Sequence, residues 1–220
     1  MASSNQIKSG WSWQKKLKRA VEVLREEGIK SFWFKLLSEI GYRRYLLLEL
    51  SLEEPIPEVR FSLPVTIDLL KKTEVDEYVM FQPGIKTSDI ADRLNAGHWC
   101  FVARHEGKLI SATWATIHRT WTSYLARAIH FMPDEVYFYD VFTRPDFRGK
   151  SILPAILVDM IRYFRDAGYR RMVCLVLPEN KSSLKALQKV AFHPLGMMGY
   201  IKIGPWRWHF YRTRESYDLL

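Results

Sequence analysis

The chain has 220 residues, the length of one domain with an appendage, and its 48% hydrophobic residues suffice for a full core, which disfavours intrinsic disorder. No apolar run is long enough to span a bilayer, and the first residues lack the basic-then-apolar order of a secretory signal. Two widely separated cysteines, Cys100 and Cys174, exclude a disulfide framework and indicate buried thiols in a reducing, cytoplasmic compartment.

The formal net charge of +9 is concentrated near the N terminus, where residues 1–45 contain ten Lys or Arg and four Glu. Apolar residues at helical spacing within residues 11–40, interrupted by Gly28, predict two amphipathic helices with basic faces. We expect this segment either to pack on the rest of the protein or to contact an acidic partner, such as a membrane surface or an acyl carrier protein. Nucleic acid is disfavoured, because no recognised binding motif accompanies the basic residues.

A short predicted strand at Tyr45–Leu52 is followed by a linker with two prolines, Glu53–Arg60. The linker predicts a boundary between an N-terminal helical extension, residues 1–58, and a second domain, residues 59–220. These two units are the expected domain organisation of the chain.

The second domain begins with a predicted helix at Thr66–Phe81, capped by Asp68 or Thr66. The order of periodic segments after it predicts a mixed α/β sheet. The further predicted elements are a helix within Pro83–Gly97, a hairpin over His98–Arg119, a strand at Val136–Thr143, a helix from Ser151 to Gly168, a strand at Arg171–Leu177, a helix at Asn180–Val190 and a final hairpin over Met198–Arg212.

A basic, glycine-containing loop with the sequence PDFRGKS, residues 145–151, joins the strand at Val136–Thr143 to the next helix. The first amides of a helix are free, and the positive end of its dipole points into such a loop. Gly149 lets the backbone approach a ligand, and Arg148 and Lys150 add positive charge. The loop therefore predicts a site for an anion of pyrophosphate size, with an unliganded, solvated loop as the alternative. Neither a Walker loop nor a dinucleotide-binding motif is present.

The stretch PDFRGKS resembles the pyrophosphate loop of the GNAT superfamily of acyl-CoA-dependent N-acyltransferases, with Ser151 where a second glycine is usual. A second similarity to that family lies in NKSSLKALQKVAF, residues 180–192. Leu187 there replaces a tyrosine, and Ala191 replaces a glycine. The residues that match the family pattern are Asn180, Ser183, Lys189 and Phe192.

The resemblance implies a GNAT fold and direct transfer of an acyl group, acetyl by default, from acyl-CoA to a primary amine. It also implies that the strand before the loop separates from its neighbour at a β-bulge, and that pantetheine pairs with the backbone there. The implied CoA-binding residues are Val141, Phe142, Thr143, Arg148, Gly149, Lys150, Ser151, Ile152, Asn180 and Ser183. The acceptor amine, on a small molecule or an amino acid, is not identified by the sequence.

Asp140 is the carboxylate nearest to the expected reaction centre, and we expect it to deprotonate the amine directly or through water. Tyr139 is the rival for this role, and Glu135 is a weaker candidate. A buried structural acid is the alternative interpretation of Asp140.

Two further hypotheses remain open. The donor is an acyl carrier protein rather than CoA, or the chain is a non-catalytic acyl-CoA-binding or membrane-associated interaction module, as the absence of the tyrosine at Leu187 allows. No metal is expected, because the spacing of His98, His118 and His130 is not that of metal ligands, and we interpret them as structural or exposed. Most of four tryptophans are expected to pack in the core, with an acceptor or acyl pocket as the alternative; they are Trp114, Trp121, Trp206 and Trp208.

Overall fold

A computed structural model of the protein describes residues 41–59 and 63–213, so the two helices predicted within residues 11–40 lie outside the described residues. Residues 44–199 and 209–213 form one compact unit, and residues 41–43 and 200–208 belong to a second. Within the described ranges, no helix combines the length and the apolar character that crossing a bilayer requires.

The described residues contain ten strands and four α-helices. The strands are β1 (Tyr42–Ser51), β2 (Thr66–Leu69), β3 (Trp99–His105), β4 (Lys108–Thr116), β5 (Thr120–Thr122), β6 (Arg127–Ile129), β7 (Glu135–Thr143), β8 (Arg171–Val176), β9 (His193–Ile203) and β10 (Trp206–Thr213). The helices are α1 (Val75–Phe81), α2 (Thr87–Asn95), α3 (Ile152–Asp166) and α4 (Lys181–Gln188).

Eight of these strands form one mixed sheet in the order β10-β9-β1-β8-β7-β4-β3-β2, while β5 and β6 form a separate antiparallel pair. β7 and β8 run parallel, and the pairs β1–β8, β4–β7, β3–β4 and β2–β3 are antiparallel. The predicted mixed α/β class is confirmed. Because β1 pairs with β8, a strand that precedes the predicted boundary at residues 58 and 59 lies in the sheet; the boundary itself stays a prediction.

Helices cover both faces of the sheet, as the alternation of side chains along β3 shows. Phe101 and Ala103 pack in the cluster that contains the apolar side of α3, whereas Cys100 and Val102 pack in a second cluster with α1 and α2. Both clusters consist of buried side chains, and each fully buried apolar side chain in them contributes about 1.5–3 kcal/mol. The sheet is therefore held rigidly on both sides of the strands that carry the candidate site.

The prediction of one helix over residues 66–81 is wrong in its first part. Ile67 and Leu69 are partly buried while Thr66 and Asp68 are exposed, which is the period of a strand, and the segment pairs with β3 as the edge strand β2. The helix begins only at Val75, so neither Thr66 nor Asp68 caps it. The other predicted elements of residues 83–213 are present with small shifts of their ends.

The expectation that most of the four tryptophans pack in the core is also wrong. Trp114, on β4, is fully buried against α1, whereas Trp121, Trp206 and Trp208 are exposed. Trp114 donates its indole N–H to the Tyr78 hydroxyl at 2.8 Å, so its polar atom is satisfied where it is buried.

Candidate active site

β7 and β8 separate in the middle of the sheet. Their parallel pairing ends at Tyr137 opposite Val173, although both strands continue. The register of β7 against β4 shifts just beyond this point, where Asp140 takes a left-handed φ of 49°. This β-bulge lies at the start of the separated part of β7, as the resemblance implied. The backbone of Val141–Thr143 therefore has no ladder partner on β8 and is available to an extended ligand.

The loop after β7 forms a concave set of amides. Gly149 and Ser151 have left-handed φ values of 77° and 58°, with Lys150 between them. Such alternation turns successive N–H groups to the same side and makes a nest for an anion. Among the described residues, no hydrogen bond is donated by the amides of residues 149–153. A Cβ on Gly149 would meet no heavy atom within 4 Å, so the concavity is open.

Three basic side chains surround this nest. Arg148 Nε donates to the Thr143 carbonyl oxygen at 3.2 Å, and Lys189 Nζ donates to Ser151 Oγ at 2.9 Å. Lys150 Nζ lies 5.0 Å from the centroid of the Phe147 ring. Because Lys189 belongs to the second sequence motif, the fold brings the two motifs to one place.

Asn180 and Ser183, the residues of the second motif that are predicted to bind CoA, lie at the start of α4. Asn180 caps this helix, because its Oδ1 accepts from the amide of Ser183 at 3.1 Å and from the hydroxyl of Ser182 at 2.9 Å. Leu187 is buried in the core beside Phe192, so the position where the family pattern has tyrosine has no proton to donate.

The left-handed backbone of Ala191 allows a test of local strain, since its φ is 66° where the family pattern has glycine. We expect Ala191→Gly to raise the free energy of unfolding by about 0.5–1 kcal/mol, because the left-handed conformation costs a residue with a Cβ more than it costs glycine. Urea denaturation measures the change. Ala186→Gly, within α4, is the matched control and should lower the free energy of unfolding by a similar amount. If both changes lower the free energy of unfolding, the backbone of Ala191 is not strained.

A polar cluster lies where α2 faces the bulge of β7. Arg93 Nη1 donates to Asp140 Oδ2 at 2.5 Å. The Arg93 guanidinium carbon also lies 5.1 Å from the ring centroid of Trp114 and 5.5 Å from that of Tyr139. One carboxylate and two aromatic faces therefore hold this cation. The carboxylate of Asp140 is about one-third exposed, so it is reachable from the side of the bulge.

His98, immediately before β3, forms a second polar pair in this cluster. Its Nδ1 lies 2.5 Å from the hydroxyl oxygen of Tyr139. Burial lowers the pKa of His98, and the nearby His118 and Arg93 lower it further. Burial also raises the pKa of Tyr139. At neutral pH the tyrosine is therefore protonated and the imidazole is neutral, which allows the hydroxyl to donate to Nδ1.

The sequence indicated a structural or exposed His98 and assigned no role to Arg93. Both reach the bulge through contacts with residues more than forty positions later in the chain, and nothing local signals such contacts. Glu135 lies at the opposite end of β7, almost fully buried, with its Oε1 3.5 Å from Arg171 Nε, so it is not part of this cluster. Within residues 41–59 and 63–213, no three His, Cys, Asp or Glu side chains are grouped to hold a metal ion.

Comparison with known proteins places the chain in a family. Residues 67–192, more than half of the chain, match the acetyltransferase (GNAT) family. No curated protein shows significant sequence similarity to the chain. A GCN5-related N-acetyltransferase from Sphaerobacter thermophilus has a TM-score of 0.53 at 12% identity, over 77% of this chain and 55% of its own.

Two further solved structures are similar with lower scores. The aminoglycoside acetyltransferase AAC(6')-Iy, in complex with a CoA–acetylneamine bisubstrate analogue, has a TM-score of 0.48 at 22% identity, over 59% of this chain and 91% of its own. An N-acetyltransferase from Staphylococcus aureus Mu50 has a TM-score of 0.48 at 19% identity, over 67% of this chain and 96% of its own. On the strength of the family match, the chain belongs to the GNAT acetyltransferase family and is an acyltransferase enzyme.

Proposed function

We propose that the protein transfers an acyl group, acetyl by default, from acyl-CoA to a primary amine. The observation that carries this proposal is one continuous path along the end of β7. The backbone of Val141–Thr143, which has no partner on β8, leads directly into the amide nest at Gly149 and Ser151. An extended thioester arm that ends in a pyrophosphate matches this path, with its arm along the strand and its charge in the nest.

The reaction then proceeds by direct attack. The amine nitrogen forms a bond to the thioester carbonyl carbon, the C–S bond breaks, and CoA leaves as a thiolate. A thiol has a pKa of about 8.5, so solvent protonates the thiolate readily and the buried Leu187 is not a barrier. The proton of the attacking amine goes to a base, which is the step that needs the protein.

Asp140 is the base that we propose. It is at the bulge, its carboxylate is partly exposed, and Arg93 contacts only its Oδ2. The Arg93 contact fixes the carboxylate, and Oδ1 is left to accept a proton directly or through water. The second candidate is His98, whose neutral imidazole contacts Tyr139; the proton would pass through the Tyr139 hydroxyl to Nδ1.

For the acceptor we propose an amine on a small molecule, which includes amino acids. The solved complex of the aminoglycoside N-acetyltransferase AAC(6')-Iy contains a bisubstrate analogue of CoA and monomethyl-acetylneamine. On the α1 side of β7, Phe81 and Phe142 are in edge contact with ring centroids 5.0 Å apart, and they add an apolar wall near the bulge. This wall would contact the part of the acceptor that carries no charge.

A second candidate donor is an acylated carrier protein. The observation that favours it is the exposed, basic surroundings of the nest, where Arg148 and Lys189 accompany Lys150. Carrier proteins deliver the acyl chain on the same pantetheine arm, and an acidic carrier would find complementary charge here. The basic segment of residues 1–45 is a second part of the sequence that would attract an acidic carrier.

The two donors and the non-catalytic alternative are separated by one assay. Purified protein is incubated with a panel of primary amines and either acyl-CoA or acyl carrier protein, over several acyl lengths, and thiol release and N-acyl product are both measured. Faster turnover with acyl-CoA supports the proposal, and faster turnover with the carrier protein supports the second candidate. Binding of acyl-CoA without product from any amine would instead support the non-catalytic module.

We further propose that residues 1–45 bind an anionic surface, since ten of them are Lys or Arg. Replacing Lys15, Lys16, Lys18 and Arg19 by glutamine should lower the affinity for anionic vesicles by about a hundredfold or more, because each basic residue near such a surface contributes about 1 kcal/mol. Vesicle sedimentation at low salt measures this. Equal recovery of the variant and the unaltered protein would leave the segment only a packing role.

A further inference from the structure

The last hairpin has an exposed apolar face at its tip. Of nine exposed large hydrophobic side chains among the described residues, four lie between residues 201 and 208, so exposure is concentrated there. We call these four the hairpin face. They are Ile201 (42% exposed), Ile203 (63%), Trp206 (68%) and Trp208 (55%).

The turn geometry places these four side chains together. Only Gly204 and Pro205 separate β9 from β10, and Gly204 has a φ of 59°. This is the two-residue hairpin turn with glycine first, whose twist suits antiparallel strands. In such a hairpin Ile203 lies opposite Trp206, and Ile201 and Trp208 form the next pair on the same side. The hairpin face is therefore one continuous surface.

The opposite side of the tip is basic. Lys202 and Arg207 fall on the strand positions between those of the hairpin face, and both are exposed. The guanidinium carbon of Arg207 lies 4.8 Å from the ring centroid of Tyr200, which agrees with their sharing one side of the hairpin. The tip is thus amphipathic, with aromatic and aliphatic side chains on one side and cations on the other.

We propose that the hairpin face inserts into the interfacial layer of an anionic lipid bilayer. Tryptophan prefers the boundary between headgroups and acyl chains, where its ring is apolar and its N–H remains hydrated. Lys202 and Arg207 lie on the other side of the same tip, and their long side chains can reach the headgroups beside the inserted turn. They complement the negative charge of the lipids, as does the net charge of +9. A second copy of the chain is a poorer partner, because each copy carries a net charge of +9 and the two would repel each other.

The test compares one double variant and one single variant of the hairpin face with a matched tryptophan control. Trp206→Ala with Trp208→Ala should weaken binding of the full chain to vesicles of phosphatidylglycerol and phosphatidylcholine by about tenfold or more, the scale of one partly buried tryptophan. Trp121→Ala removes a tryptophan of similar exposure, 64%, from β5 and should leave binding unchanged. Ile203→Asp places a negative charge on the hairpin face and should weaken binding without removing an aromatic ring.

Binding is measured by sedimentation, with thermal unfolding recorded for every variant. The proposal does not depend on the acyl-transfer chemistry, and transfer to a soluble amine should persist in all three variants. Unchanged vesicle binding of both the tryptophan pair variant and Ile203→Asp would overturn it. So would equal binding to vesicles of phosphatidylcholine alone, or self-association of the unaltered chain that these variants abolish while vesicle binding remains.

Discussion

Replacing Gly149 by valine or Arg148 by glutamate is expected to weaken CoA binding by about tenfold to a hundredfold. The amide nest needs a left-handed φ at residue 149, which a β-branched residue strongly disfavours, so valine there should distort the nest. The glutamate change repels the phosphates that the arginine attracts. A hydrogen bond to a charged group contributes about 1.5–3 kcal/mol, which sets the expected range. Calorimetric titration with CoA measures the affinity.

Two matched variants separate this local effect from general damage. Gly107→Val, in the turn between β3 and β4, introduces the same side chain at φ 74° with equally open space around the Cβ position. Arg162→Glu, on the exposed side of α3, makes the same change of charge. Both controls should bind CoA with unaltered affinity. Unchanged affinity in the Gly149 and Arg148 variants would refute the assignment of the loop to the pyrophosphate.

Asp140→Asn is expected to lower turnover by about a hundredfold or more, the usual scale for loss of a general base, while the affinity for CoA stays the same. Asparagine keeps the shape of the side chain and can still accept a hydrogen bond from Arg93 through its amide oxygen, but it cannot take the proton of the amine. Steady-state kinetics with the best amine measure the change. The control is Asp92→Asn, an exposed carboxylate next to Arg93 on α2, which should leave turnover unaltered.

Two outcomes would reassign the role of Asp140. Loss of the cooperative thermal transition in Asp140→Asn would make its ion pair with Arg93 structural. Full turnover in that variant would move the proton to His98 and Tyr139, and His98→Gln should then lower turnover. In that case the acidic limb of kcat/KM lies below pH 6.5, because burial lowers the pKa of His98 and the base is lost only as pH falls through that lowered value.

The features of the site that the sequence predicted depend on residues that are close together in the chain. The nest at Gly149 and Ser151 follows from one glycine, two basic residues and a helix start within seven residues, and the motif around Asn180 is similarly short. The periodicity of apolar side chains also predicted most of the helices and strands. The same periodicity predicted the wrong element at residues 66–69, because only residues 70–74 separate Leu69 from α1 and the four-residue edge strand is too short for its alternation to stand out.

The parts that the sequence did not predict depend on long-range contacts. Arg93 and His98 meet β7 only because α2 and the chain immediately before β3 fold against the bulge, and the sequence contains no pattern that links these positions. The exposure of Trp206 and Trp208 is of the same kind. Their alternation is that of any strand, and whether the side they share meets a core or solvent is decided by the neighbours of the hairpin rather than by the hairpin itself.

The most direct test of the central claim is the stoichiometry of the reaction with acetyl-CoA. The unaltered protein is incubated with acetyl-CoA and the amine panel, and released CoA thiol and N-acetyl product are quantified in the same samples. We predict one thiol released for each N-acetyl product formed, with the rate reduced at limiting acetyl-CoA in Gly149→Val and unaffected in Gly107→Val. Saturable binding of acetyl-CoA with no acetylated product from any amine would contradict acetyl-CoA-dependent N-acyl transfer by this protein.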